Sequence, residues 1–383
     1  MKSEKWGTWV SALLYVALGG ALGRALGDLL FSGQAELPFG EKLFLLGGAL
    51  LLVYLAGMIQ TILHEAGHLL FGLLSGYRFC SFRIGQWMLA RQNGALRLCR
   101  FFLAGTAGQC LMDPPDMREG KLPYVLYNLG GVILNAASAL LFFWMYRLCA
   151  SGGTALFAFF CLTLSLMGAA YALLNGIPMR VQLVDNDGRN ACSLGKDPAA
   201  LRAFWLQLRI NAAKTSGQRL RDMPVAWFRF PAEAELQNPM IAAEAVEFID
   251  CQMDLHQFAQ AARTIDWLLQ AKTGLLGLHR NLLLCDRLYC ALLLGEDAAP
   301  YDTPAMAKFR KQMSPYPSVI RTEYARALLA ERDEAKATAF QARFDQLTKR
   351  YPYQGDLESD RECMELARRV AQGCPLQEET ALP

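Results

Sequence analysis

The sequence predicts a mostly α-helical protein: a polytopic membrane bundle of about four transmembrane helices with a small β-hairpin element, then a C-terminal cytoplasmic all-helical domain. Three observations predict it. Four apolar stretches in the first half are each long enough to cross a bilayer, which takes about 20 helical residues. Between the second and third, two strand-like runs flank Asn93-Gly94, a strong short-range signal for a tight hairpin. From about residue 190 the composition changes to soluble helical patterns separated by Gly, Pro and Asp. The expected domains are therefore 1–189 and 190–383.

The apolar stretches run from about Trp6 to Phe31, Leu43 to Leu74, Leu122 to Leu148 and Thr154 to Leu174. Lys2 and Lys5 precede the first, and no small-residue cleavage site follows, so it reads as a retained anchor. Within it Gly19, Gly23 and Gly27 recur every four residues, a pattern that lets another helix approach closely. Arg78, Arg83, Arg91, Arg97, Arg100, Arg118 and Lys121 crowd the segment between the second and third stretches. The positive-inside rule then puts that segment, the N-terminus and the C-terminal half in the cytoplasm of a multi-pass cell-membrane protein. On that topology the second and fourth spans run the same way, and their C-terminal ends meet at one membrane face. The Asp113-Pro114-Pro115-Asp116 run breaks the chain before the third span.

Hydrophobic residues make up 53% of the chain, charged residues 19%, and the formal net charge is +3. With no long basic run, this argues against nucleic acid as a partner. Eleven cysteines lie at irregular spacings with no CxxC pair, which suggests neither a zinc ribbon nor a disulfide framework but free thiols in a reducing compartment or in lipid. The soluble half predicts helices over 240–253, 258–270, 275–294, 318–330 and 334–350. Such paired lengths resemble a tetratricopeptide-like array, most closely from Ala325 to Pro352; a generic helical bundle is the alternative.

The chemistry is concentrated in His64-Glu65-Ala66-Gly67-His68. On a helix, residues four apart share a face, so both imidazoles can reach one tetrahedral zinc ion, Zn2+. Glu65 would then lie beside the metal as a general base toward bound water. The flanking residues Ile62, Leu63, Leu69, Leu70 and Phe71 are apolar, and ionisable groups at membrane depth usually mark a functional site. Two histidines leave a catalytic zinc site incomplete, because a third protein ligand is usual. Its expected source is the inner end of the fourth span, Asn175-Gly176-Ile177-Pro178, followed by Asp185-Asn186-Asp187-Gly188. An Asx-rich turn leaving the membrane would read the same way. His256 and His279 lack partners at ligand spacing and read as ordinary helix residues.

These motifs, in this order, resemble the site-2 protease family of intramembrane zinc metalloproteases: HExxH at His64–His68, Gly130-Gly131 with Asn135, and Asn175 and Pro178 with Asp187-Gly188. The resemblance covers about residues 40 to 190. It implies that Asp187 is the third zinc ligand, that cleavage occurs at or within the membrane, and that Asn135 and Asn175 position substrate or stabilise the oxyanion. It also implies a sheet that pairs with an extended substrate, for which the Asn93-Gly94 hairpin is the candidate. Hydrogen bonds between membrane helices would equally explain both asparagines. Val132 stands where the family often has proline, and the long interval from Asn175 to Asp187-Gly188 leaves Asp185 as a rival ligand.

The expected activity is hydrolysis of peptide bonds in a membrane-anchored protein or peptide substrate within the lipid bilayer. The C-terminal helical domain would recruit substrate or bind a protein partner. Two alternatives stand beside it: maturation of a small secreted or signalling peptide, and a non-enzymatic membrane scaffold with a vestigial site.

Overall fold

The computed structural model describes residues 2–31, 38–103, 105–149, 154–181 and 183–376. The chain divides into two compact units, 1–84 with 107–198, and 85–106 with 199–383.

The first unit contains four helices long and apolar enough to cross a membrane: α1 (Lys2–Phe31), α2 (Phe39–Leu74), α3 (Tyr124–Cys149) and α4 (Ala155–Gly176). Their boundaries follow from local chemistry. Helix α2 stops where Gly76 adopts φ +84°, letting the Tyr77 N–H reach back to the Gly72 carbonyl. That left-handed residue with its 6→1 bond is the Schellman ending that glycine permits. Helix α3 begins just after Pro123, and α4 ends before Pro178, whose ring cannot continue a helix. Helix α2 has 36 residues, about 54 Å at 1.5 Å per residue, well beyond the ~30 Å hydrocarbon core of a bilayer.

Helix α3 packs antiparallel between α2 and α4, so α2 and α4 run in the same direction. The α2–α3 crossing is a backbone-to-backbone contact. A Cβ on Gly67 would collide with the Gly130 carbonyl, and one on Gly130 with the Gly67 carbonyl. Small residues at such a crossing are how membrane helices approach closely. By contrast, a Cβ on Gly19, Gly23 or Gly27 would meet nothing within 4 Å, so the glycine face expected to receive a neighbouring helix has none among the described residues. Strand β1 (Arg78–Ile84) pairs antiparallel with β4 (Gly108–Asp113), in register from Phe82 opposite Cys110, with an irregularity between Phe79 and Ser81. After α4 a two-residue ladder, Arg180-Val181 with Val184-Asp185, leads into the short helix α5 (Asp187–Ser193).

The second unit joins the hairpin β2 (Trp87–Gln92) and β3 (Ala95–Arg100) to eight helices among its described residues: α6 (Pro198–Thr215, whose first residue belongs to the other unit), α7 (Pro239–Asp254), α8 (Phe258–Gln270), α9 (Gly277–Leu294), α10 (Pro304–Gln312), α11 (Pro317–Arg326), α12 (Glu334–Thr348) and α13 (Gln354–Ala371). Both hairpin-turn residues have positive φ, 48° at Asn93 and 80° at Gly94, the geometry that Asn-Gly favours. Start signals legible in the sequence are in place. Asn238 caps α7 before Pro239, Thr303 caps α10 before Pro304, and Asp333 accepts from the Lys336 N–H at α12.

Two expectations change here. The boundary falls at Pro198/Ala199, later than residue 189, because α5 packs against α3 and α4. The helical unit is also not all-helical. The hairpin buries Met88, Ala90, Cys99 and Phe101 in the same core as Phe258, Tyr289, Phe344 and Leu357, and the Arg100 N–H donates to the Arg350 carbonyl. Alternation along β2 buries Met88, Ala90 and Gln92 on one face, where the Gln92 amide donates to the Pro352 carbonyl.

Candidate metal centre

His64 and His68 sit on α2, one turn apart, and Asp187 opens α5. Their facing atoms form a small triangle. His64 Nε2 lies 3.2 Å from His68 Nε2, and Asp187 Oδ2 lies 3.1 Å from the first and 3.5 Å from the second. All three are largely buried, with side-chain exposures of 12%, 12% and 22%. Among the described residues, this is the group of His, Cys, Asp and Glu side chains whose ligand atoms converge closely enough to hold a metal ion.

The surrounding hydrogen bonds determine what the triangle presents. His68 Nδ1 lies 2.8 Å from the Tyr127 carbonyl, which can only accept, so that nitrogen carries a proton, and in the neutral ring Nε2 carries the lone pair. For His64 the assignment runs through a buried amide chain. Gln60 Nε2 donates to the Leu164 carbonyl, so Gln60 Oε1 faces Asn135 Nδ2 at 2.8 Å and the Ser138 hydroxyl at 3.0 Å. Asn135 Nδ2 also donates to the Gln60 carbonyl, which turns Asn135 Oδ1 toward His64 Nδ1 at 2.7 Å. His64 therefore donates from Nδ1 and also turns a lone pair inward from Nε2. Two imidazole lone pairs and a carboxylate oxygen thus face one another. Three converging acceptors call for a cation at their centre.

Asp185, the rival acid, is committed elsewhere. Arg180 grips both its oxygens at 2.6 Å, and Arg189 reaches Oδ1 at 2.8 Å. The residue between the two acids makes the difference. Asn186 Oδ1 accepts from the Met179 and Arg189 N–H groups, while its Nδ2 donates to the Leu174 and Ile177 carbonyls. That clamp fixes the start of α5 against the end of α4 and aims Asp187 at α2. Gly188 is required beside it, because a Cβ there would strike the Gly176 carbonyl.

Glu65 is 8% exposed and packs under β4, where a Cβ on Gly108 would lie 2.7 Å from its Oε1. Gly131 performs a similar service for His64, since a Cβ there would lie 2.5 Å from the ring's Cε1. Tyr127 ties these parts together: its carbonyl holds His68, its hydroxyl donates to the Cys110 carbonyl of β4, and its ring stacks on Tyr77 at 4.7 Å.

His64, Glu65, His68 and Asp187 are thus brought together. Asn135 is adjacent but fully buried, and its amide joins α3 to α2 through His64 and Gln60, the hydrogen bond between helices that stood beside the substrate-positioning expectation. Asn175 donates to the Tyr171 carbonyl one turn back on α4. The strand beside Glu65 is β4, and the Asn93-Gly94 hairpin lies in the other unit. Gln60, Asn186 and Gly108 were not singled out from the sequence. Only Asn186 left a local trace there, an Asx residue three before an arginine at a helix start. His256 instead lies 3.3 Å from Glu362 and stacks on Phe258. No protein-family model, curated protein or solved structure matches the chain.

Proposed function

We propose that the protein is a membrane-embedded zinc metallopeptidase of the site-2 protease kind. His64, His68 and Asp187 would hold the ion, and Glu65 would act as general base. The observation that carries the reading is the triangle of inward-facing acceptors, with edges of 3.1, 3.2 and 3.5 Å. Ligands at about 2.0–2.1 Å in a tetrahedral zinc site would stand about 3.3–3.4 Å apart, so the donors fit without moving far. A third protein ligand with a fourth position left open is the composition of a catalytic rather than a structural zinc site.

When bound, zinc supplies Lewis acidity toward the scissile carbonyl and a water acidified to near neutrality. The rest is done by this chain. The Tyr127 carbonyl and Asn135 Oδ1 hold the two imidazoles in the tautomer that binds metal, the outer-sphere role that carbonyls and carboxamides commonly play. Glu65 takes the proton from the attacking water and passes it to the leaving amine nitrogen, which closes the proton balance of peptide hydrolysis. The apolar flanks of α2 and α3 keep bulk water away. His64 to Leu74 covers about 15 Å of helix, which sets the site well inside the end of α2. The substrate is a membrane-anchored protein or peptide, and the C-terminal helical unit, on the cytoplasmic side, binds the partner or substrate that is cleaved.

The test is zinc content of the detergent-purified protein, paired with cleavage of a membrane-anchored reporter in proteoliposomes. About one zinc per chain is expected in wild type and in Asp185→Ala, with loss in Asp187→Ala. Glu65→Gln should keep the metal and lose cleavage. A folded wild-type protein that takes up no supplied metal would leave the scaffold reading in its place.

A further inference from the structure

The two faces of the β2–β3 hairpin meet different surroundings. Met88, Ala90, Gln92 and Cys99 are buried within the helical unit. Alternation sends Trp87, Leu89 and Arg91 the other way, and cross-strand pairing sets Arg100, Leu98 and Leu96 opposite them on the same face. Leu89 meets Leu98 at the centre, Trp87 stands beside Arg100 at one end, and Leu96 beside Arg91 at the other. The four apolar residues are all exposed, from 39% at Leu89 to 67% at Leu98. Beyond Phe102, just after the hairpin, only Val225 and Trp267 are large, apolar and exposed elsewhere among that unit's described residues. Apolar exposure gathered on one face marks a contact surface.

Charge says which surface. No Asp or Glu occurs between Glu65 and Asp113, whereas Arg78, Arg83, Arg91, Arg97 and Arg100 do. A second copy seated on this face would set arginines against arginines, with no acid to meet them. An anionic lipid surface suits every part: headgroups take the arginines, the acyl boundary takes the leucines, and tryptophan favours that boundary. Water alone satisfies the arginines. It does not satisfy Trp87 and the three leucines.

Covalent connection brings a bilayer within reach. Gly85-Gln86 join β2 to β1, and residues 101–107 join β3 to β4, both strands of the unit that carries the four apolar helices. Helix α2 ends at Leu74, shortly before β1. A surface tethered at both ends works at high effective concentration, so a weak lipid affinity suffices.

We propose that the outward face of this hairpin lies on the anionic headgroups of the bilayer and seats the helical unit there. The proposal rests on the reading of the first unit as membrane-spanning and uses no residue of the candidate metal centre.

Spin labelling of the full chain tests it, in phosphatidylcholine vesicles with or without phosphatidylserine. Cys149, Cys192 and Cys374, the thiols that are not buried, are first replaced by Ser. A label is then placed at Leu98→Cys or, as a control on an exposed position of α1, at Val16→Cys. With phosphatidylserine, the label at Leu98→Cys should become more accessible to oxygen and less accessible to a water-soluble nickel chelate, shifting their ratio several-fold relative to neutral vesicles. Arg91→Glu/Arg97→Glu, at two exposed positions of the hairpin, should abolish that shift with thermal unfolding unchanged. A Leu98→Cys label open to the chelate in both vesicles, with the Val16→Cys label in lipid, overturns the docking alone. Both labels in water would overturn the membrane-spanning reading and the docking with it. Equal burial in neutral vesicles, or a shift that survives the double variant, removes the anionic headgroups and overturns the proposal. A Leu98→Cys label shielded from both reagents would be packed against protein, which overturns it as well.

Discussion

The candidate metal centre and the interior of the helical unit both bury ionisable groups, and they resolve the cost in opposite ways. In the helical unit two arginines each meet a pair of opposite charges. Arg321, 3% exposed, bridges Asp286 and Asp360, and Arg219 bridges Asp254 and Glu362. These groups are self-compensating, and nothing further is needed to hold them. Around His64 the hydrogen bonds point the other way: Gln60, Asn135 and the Tyr127 carbonyl consume the donors and leave acceptors facing acceptors. The lesson is that burial and ionisable residues do not by themselves mark a site. The sign left over after local pairing does.

Four measurements would break or sharpen that contrast. The largest effect is expected from Glu65→Gln, which keeps the side chain's shape and removes the base. Reporter cleavage should fall by about 10²–10⁴-fold, the usual contribution of general acid–base catalysis, with zinc content unchanged. Equal cleavage by the variant would remove Glu65 from the reaction.

Next comes Arg321→Met, which strands Asp286 and Asp360 in the core of the helical unit. Breaking one side of a buried ionic group typically costs about 3–5 kcal/mol. Denaturant unfolding of the full chain, followed by proteolysis at sites within 199–376, should show that loss. A variant as stable as wild type would mean the network is not self-compensating.

Asn135→Ala frees the His64 ring to take the wrong tautomer. Zinc affinity should drop about 10–100-fold, as for other outer-sphere partners, and Asn135→Asp, which still accepts from Nδ1, should recover most of it. If Asn135→Ala changed the KM for the reporter and left metal affinity alone, the residue would be a substrate contact after all.

The smallest effect is expected from Asn186→Ala. Removal of a helix cap costs about 0.5–2 kcal/mol, here spent on letting α5 swing away from α2, so metal affinity should fall less than for Asp187→Ala. Competition against a chromogenic chelator would rank the two variants, and an equal loss would show that the clamp matters as much as the ligand it aims.

Much of this was legible before any tertiary information. The four apolar helices follow from run length, the hairpin from Asn93-Gly94, and the ends of α4 and α2 from Pro178 and Gly76. The helices of the soluble half lie close to where periodicity puts them, over 239–254, 258–270, 277–294 and 334–348. The boundary near residue 198 was not legible, because α5 is polar and short and reads as the start of the soluble half. What ties it to the end of α4 is the Asn186 clamp, a contact between segments.

The sequence alone determined that His64, Glu65 and His68 form one constellation, because helix periodicity places residues four apart on a single face whatever surrounds them. Only the tertiary structure shows which of Asp185 and Asp187 faces His64 and His68. Both lie within one turn and are chemically equivalent there, and which one faces α2 depends on how Asn186 docks on α4 and on where Arg180 and Arg189 fall. It also decided what Asn135 does. An amide can donate or accept in any direction, and only the buried chain from the Leu164 carbonyl through Gln60 turns its oxygen to His64. Spacing along one helix is local geometry. The orientation of a lone pair is a property of everything packed around it.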